Sequence, residues 1–242
     1  LMLTDPPAVY RTPRVEAARR TSPVPFARPG QLYDVEPSRS NALVRADTEV
    51  SGSGPRPFDA TQALSTHYLY AVDVERPFER WMVLARTGGD GEPIRLADLG
   101  LKPEAEYVAF EFWTHAYLGA FQQALVAGPV DPRFGVQALC LRERVPHPQV
   151  LATNRHVTCG AVDLEDVTWG GATLEGASRI VAGDTYEIYL TEPPGFTAGE
   201  VQVTGATLVA NQKTGPVRTL RFRSDVSRTA RWRVTYETRE SR

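Results

Sequence analysis

The densest group of side chains that could bind a metal ion lies between residues 147 and 166. It contains two histidines, one cysteine and three carboxylates: His147, His156, Cys159, Asp163, Glu165 and Asp166. Imidazole, thiolate and carboxylate groups are the usual ligands of zinc, but these spacings fit no closed zinc pattern, because His147 and Cys159 flank a predicted strand pair. We therefore predict no metal site, and interpret Asn154-Arg155 as a tight turn beside which His156 hydrogen-bonds within a sheet.

Other catalytic arrangements are not indicated by the sequence. It contains no nucleophile elbow, no phosphate-binding loop and no Cys-His nucleophilic pair. The remaining histidines, His67 and His115, are isolated, so structural roles are expected for both. No cofactor is predicted.

The aromatic side chains could in principle form a platform on which sugar rings stack. Most of them alternate within predicted strands, which places them in a hydrophobic core. Trp169 is the exception, because it precedes Gly170-Gly171 in what the sequence predicts to be a turn, where a tryptophan is more often exposed. Trp169 is therefore a candidate substrate-binding residue.

Composition excludes several functional classes. The chain has 242 residues, 42% of them hydrophobic and 23% charged, which is typical of a globular protein. A net charge of -2 and a pI near 6.1 give no basic surface for nucleic acid. Apolar runs are strand-sized, so we predict a soluble protein without a membrane partner.

With two cysteines, Cys140 and Cys159, one disulfide and two buried thiols fit equally well. The compartment is left open, with a cytoplasmic location slightly favoured.

The chain from residue 61 onward has the pattern of an antiparallel β-sandwich. Short runs of β-branched and aromatic residues alternate with turn signals such as Gly170-Gly171 and Gly183-Asp184. No sustained helical periodicity appears, although Leu118–Val126 is compatible with either a helix or an irregular strand. Candidate strands are Tyr68–Val74, Trp81–Ala85, Tyr107–Trp113, Val136–Leu141, Val150–Ala152, Thr173–Ala177, Tyr186–Leu190, Val201–Val203, Thr207–Ala210, Val217–Phe222 and Ala230–Tyr236.

Residues 1–60 have a different character. Leu1–Pro7 has the pattern of a buried strand that ends in a turn, without a signal peptide, and Thr12–Arg20 that of a short helix with a hydroxyl cap. Six prolines between Ser22 and Asp59 predict a linker or an extended surface wrap over 22–60. The sequence alone gives the expectation that it begins in the middle of a larger protein.

The order of motifs between residues 81 and 142 resembles a known module. Trp81–Ala85 is followed by Ala97-Asp-Leu-Gly-Leu101, Tyr107–Trp113 with its Glu-Phe-Trp ending, Leu118-Gly119 and a closing strand led by Gly135. This order is similar to the C-terminal β-sandwich of retaining α-glycosidases of the α-galactosidase (melibiase) type. In that family the sandwich follows a (β/α)8 barrel.

The resemblance implies a function and a location for the chemistry. It implies that residues 1–21 are the remnant of the barrel end and that 61–242 form a sandwich packed on the barrel, with carbohydrate bound by the parent enzyme. The two catalytic carboxylates of such enzymes lie on middle barrel strands, which would precede Leu1, so this chain alone is expected to be inactive. Asp5 would lie at the catalytic face. It is a candidate substrate-binding residue, although capping of the Thr4-Asp5-Pro6-Pro7 turn by its side chain is the favoured interpretation.

A second interpretation comes from a different class of protein. The chain could be a stand-alone carbohydrate-binding or structural β-sandwich with no enzyme attached. The coding sequence before Leu1 discriminates between the two, since barrel-like βα units would favour the glycosidase.

Overall fold

The computed structural model describes residues 69–75, 78, 80–86, 93–155, 159–161 and 163–238. These residues belong to two compact units, which are described separately. The N-terminal unit contains residues 69–75 and 80–144, and the C-terminal unit contains 145–238. The expected barrel remnant at 1–21, the proline-rich segment 22–60, Asp5 and His156 all lie outside the described residues.

The N-terminal unit is built on a five-stranded antiparallel sheet with the order β1-β2-β7-β4-β5. A short antiparallel ribbon, β3-β6, accompanies it. The strands are β1 Leu69–Glu75, β2 Arg80–Arg86, β3 Ile94–Arg95, β4 Glu106–Glu111, β5 Ala116–Gln122, β6 Ala124–Leu125 and β7 Gln137–Glu143. The ambiguous segment Leu118–Val126 is thus strand as far as Leu125, with an interruption at Gln123 between β5 and β6.

The Leu-Ala-Asp-Leu-Gly-Leu motif forms a 3-10 helix, Leu96–Leu99, that ends at Gly100. Gly100 has φ +67°, a left-handed conformation in which a residue without Cβ is least strained. The turn is closed by the amide of Leu101, which donates to the carbonyl of Leu96 at 3.0 Å. Leu96, Leu99 and Leu101 are buried in the core formed with β2, β4 and β7. The motif therefore serves to pack a turn into the core.

The C-terminal unit consists of two four-stranded antiparallel sheets, β12-β15-β10-β9 and β13-β14-β11-β8. Its strands are β8 Gln149–Thr153, β9 Leu164–Gly170, β10 Thr173–Ile180, β11 Thr185–Thr191, β12 Phe196–Thr204, β13 Thr207–Thr214, β14 Val217–Arg223 and β15 Arg228–Thr238. The alternation of buried and exposed residues is clearest in β15, where the buried residues are Ala230, Trp232, Val234 and Tyr236. Tyr186 of β11 hydrogen-bonds Ser178 of β10, so the buried faces of the two sheets meet in one core.

The predicted mainly β, antiparallel fold class is confirmed for the described residues. Among them, no helix combines the length and the apolar character needed to cross a bilayer. Cys140 and Cys159 are both buried free thiols, which answers the question that the sequence left open.

Candidate functional site

Trp169 lies inside strand β9, and not in a turn as its position before Gly170-Gly171 predicts. Strand β9 was not predicted from the sequence, because Glu165 and Asp166 near its start obscure the alternation of apolar and polar residues. A register shift in the neighbouring strand, between Ala177 and Ser178, weakens the pattern further. Trp169 is half-buried, and its ring belongs to a cluster contributed by separate segments of the C-terminal unit.

Three aromatic side chains surround Trp169. The imidazole of His147 lies parallel to the indole, with 4.8 Å between ring centroids and 2° between planes. Phe196, at the start of β12, meets the indole edge-on at 5.6 Å, and Tyr236 of β15 is tilted against it at 5.7 Å. His147 Nδ1 lies 2.9 Å from the carbonyl oxygen of Pro148 and donates to it, because a carbonyl can only accept. The imidazole is therefore held in place by both contacts.

The hydroxyl of Tyr236 gives this aromatic cluster a polar feature. It is buried and has no hydrogen-bond partner among the residues that the structure describes. Burial raises the pKa of the Tyr236 phenol, and the negative charge of Glu192 raises it further, so the hydroxyl stays protonated. A buried hydroxyl without a partner is costly, and a ligand or a water molecule could satisfy it.

The cluster can contact a sugar only in part. His147 covers one face of Trp169, while Phe196 and Trp169 itself stay half-buried. Aromatic rings bind sugars through an open ring face, so what remains accessible is a partly covered platform. The substrate-binding role of Trp169 stays a prediction, and that of Asp5 lies outside the described residues.

The carboxylates and the cysteine of the 147–166 segment have structural partners where the structure describes them. Asp163 accepts hydrogen bonds from the hydroxyls of Thr153, at 3.0 Å, and Tyr186. Glu165 accepts from Arg179 at 3.1 Å and from Thr229 at 2.9 Å. Cys159 is buried. Across the described residues, no three histidine, cysteine, aspartate or glutamate side chains are arranged to hold a metal ion.

Asp163 is the most strongly buried acid of this segment. Burial raises the pKa of its carboxyl group, against the opposing effects of the Tyr186 hydroxyl, the Arg155 charge and the Thr153 hydroxyl. Arg155 is itself buried and forms an ion pair with Asp184 at 2.5 Å. The same burial raises the pKa of Tyr186 well above its usual value. This network links the loop residues Arg155, Asp163 and Asp184 to Thr153 of β8 and Tyr186 of β11, so its role is structural.

The pH dependence of stability tests whether burial raises the pKa of Asp163 in the folded protein. An acid whose folded-state pKa is raised above about 3.9, the unfolded value, stabilises fully below about pH 4 and loses that contribution as the pH rises through the folded pKa. The free energy of unfolding of the parent chain is thus expected to fall relative to that of Asp163→Asn between about pH 4 and neutrality. Urea unfolding at a series of pH values measures the difference. The exposed Asp166→Asn is the control, and a pH-independent difference for Asp163→Asn would contradict the assignment.

Comparison of the sequence and the structure with protein-family models, curated proteins and solved structures gave no match.

Proposed function

We propose that this chain is the non-catalytic β-sheet portion of a larger glycoside hydrolase of the α-galactosidase type, in which it packs on and stabilises a catalytic barrel. The observation that carries the proposal is the order of motifs between residues 81 and 142. The strand motifs lie in one sheet of the N-terminal unit, with β2, β7, β4 and β5 as neighbours, and the Leu-Gly-Leu motif forms the 3-10 turn whose leucines join the same core. Carbohydrate is then bound by the parent enzyme, and the β portion interacts with the barrel surface.

The positions of the motif residues support a structural role for this portion. The three leucines of the 3-10 turn are core residues, and so are Tyr107 and Ala109 of β4. The buried acids also have structural partners: Glu111 holds the turn that follows β4, and Glu192 forms ion pairs with Arg218 and Lys213. These side chains pack in the core or form internal ion pairs, as expected for a domain whose role is to stabilise its neighbour.

Hydrolysis of aryl glycosides tests the proposal. Two proteins are compared, the present chain and a longer one that includes the translated sequence before Leu1. We expect release of nitrophenol from an aryl α-galactoside by the longer protein alone, because the catalytic carboxylates lie in the barrel. Hydrolysis by the present chain, or the absence of a preceding reading frame with barrel-like βα units, would contradict the proposal.

A carbohydrate-binding β-sandwich without an enzyme is the second candidate. The partly exposed cluster of His147, Trp169, Phe196 and Tyr236 favours it. In this case the present chain binds glycans by itself, and Trp169→Ala abolishes the binding while the fold is retained. A glycan panel with the parent chain and this variant separates the two candidates, because the glycosidase proposal expects no Trp169-dependent binding.

A further inference from the structure

A cavity of about 340 Å³ opens beside the turn between β4 and β5 in the N-terminal unit. Its size is that of a site for a small molecule. The walls are mainly apolar and are formed by Leu118, Pro129, Val130, Pro132, Phe134 and Val136. Glu111, Thr114, Asp131 and Gln137 contribute polar groups to the same cavity, and Asp131 forms an ion pair with Arg133 at 2.5 Å.

Buried contacts hold one wall of this cavity in place. The guanidinium of Arg86 is fully buried and donates from Nε to Gln137 Oε1 at 2.9 Å and from Nη2 to the carbonyl of Gly128. Gln137 in turn donates from Nε2 to the carbonyl of Pro129 at 3.1 Å. Burying an arginine is costly unless its donors are satisfied, and here they are used to position a loop. The cavity is therefore preorganised.

Phe134 presents an aromatic ring at the cavity and is 40% exposed. Its ring is stacked on that of Trp113, with 5.5 Å between centroids and 19° between planes. The guanidinium of Arg133 also lies over the Phe134 ring, 5.4 Å from its centroid. These two contacts fix the orientation of Phe134 in spite of its exposure. An exposed, fixed ring beside an apolar wall is suited to contact a ligand.

Glu111 places a negative charge in the wall of the same cavity. It is only 3% exposed. Its Oε2 accepts from the amide of Thr114 at 2.6 Å and from the Thr114 hydroxyl, and its Oε1 accepts from the amide of Ala138 at 3.2 Å. Each carboxylate oxygen can accept two hydrogen bonds, so Oε1 retains capacity for one more.

No lysine, arginine or histidine of the described residues forms an ion pair with Glu111. Buried carboxylates are usually paired with a cation, because desolvation of an isolated charge is costly. The three hydrogen bonds offset part of that cost but leave the charge of Glu111 without a counter-ion in the part of the chain that the structure describes. The cavity therefore combines a buried negative charge with apolar walls and an aromatic ring.

We propose that this cavity binds a small organic cation, an ammonium group carried on a compact apolar body. The ammonium donates to Glu111 Oε1 and supplies the missing positive charge. The apolar body contacts Leu118, Val130 and Val136 and the exposed part of the Phe134 side chain. A neutral molecule of the same shape gains only the apolar contacts.

Calorimetric titration of the full chain with cyclohexylammonium chloride tests this site. Saturable binding in the millimolar range or tighter is expected, with NMR shifts centred on the amides of Thr114 and Ala138. Cyclohexanol, which has a similar shape and no charge, is expected to bind about tenfold more weakly, because a charge-assisted hydrogen bond is lost. The absence of saturable binding, or equal binding of cyclohexanol, would overturn the proposal.

Two variants identify the residues responsible. Glu111→Gln is expected to weaken cyclohexylammonium binding about tenfold. Glu106→Gln is its matched control: it removes the same charge from the same strand at an exposed ion pair with Arg144, and binding is expected to be unchanged. If Glu111→Gln fails to fold, the exposed Phe134→Ala serves instead, with binding weakened several-fold through the lost apolar contact and the circular dichroism spectrum retained. Parent-like binding by a folded Glu111→Gln, or by Phe134→Ala where that variant serves, would refute the site.

Discussion

The Glu192→Ala variant is expected to lose about 3 kcal/mol or more of unfolding free energy, because it leaves a charge buried without its partner. The Glu192 side chain is 0% exposed and accepts from Nε of Arg218, which is 12% exposed. Lys213 Nζ lies 2.8 Å from the other carboxylate oxygen. Urea unfolding followed by tryptophan fluorescence measures the loss.

A surface ion pair of the same unit provides the control for Glu192. Glu175 and Arg233 are 3.7 Å apart and each 53% exposed, so Glu175→Ala is expected to cost less than about 0.5 kcal/mol. The double variant Glu192→Ala/Arg218→Met should recover part of the lost stability, because no unpaired charge stays buried. Equal effects of Glu192→Ala and Glu175→Ala would show that burial does not determine the contribution of this pair.

Replacement of Gly176 with alanine is expected to cost about 2 to 3 kcal/mol of unfolding free energy through overpacking. A Cβ atom at this position would lie 2.5 Å from the carbonyl oxygen of Asp166 and 2.6 Å from Cζ2 of Trp232. The indole cannot easily move away, because Trp232 is buried and its Nε1 donates to Ser178 Oγ at 2.9 Å. Thermal and urea unfolding of the variant measure the effect.

Gly170 is the matched control for Gly176. It lies at the end of β9 in the same sheet, and a Cβ atom there would meet nothing within 4 Å. Gly170→Ala is therefore expected to be neutral or slightly stabilising, since it restricts the unfolded chain without creating a clash. Loss of stability by Gly170→Ala equal to that of Gly176→Ala would contradict the packing explanation.

Most strands of the C-terminal unit could be predicted from the sequence because their alternation is local. In β15, apolar residues at 230, 232, 234 and 236 alternate with Arg231, Arg233 and Thr235, and the structure buries the first set. Strand β9 could not be predicted in this way. Its inward-facing residues are separated by acids, and its place in the sheet depends on pairing with β10 across a register shift.

The burial of charged residues in the core could hardly be predicted from the sequence. Arg142 lies in a strand pattern where an arginine normally faces solvent, yet its guanidinium is 3.6 Å from the centre of the Trp81 ring. Glu111 belongs to the Glu-Phe-Trp motif, which was used to predict a strand. Its position inside an apolar run was the one sequence feature that indicated a buried carboxylate. Its role was decided by Thr114 and Ala138, which only the folded chain brings to it.

The sequence by itself determined the mainly β, antiparallel character of this protein and the residues that terminate its strands, because alternation and turn preference are properties of short segments. Only the tertiary structure decided that Trp169 stacks on His147, that Glu192 is paired with Arg218, and that Glu111 borders a cavity. Burial of a polar side chain depends on partners from distant segments, and no local pattern specifies them.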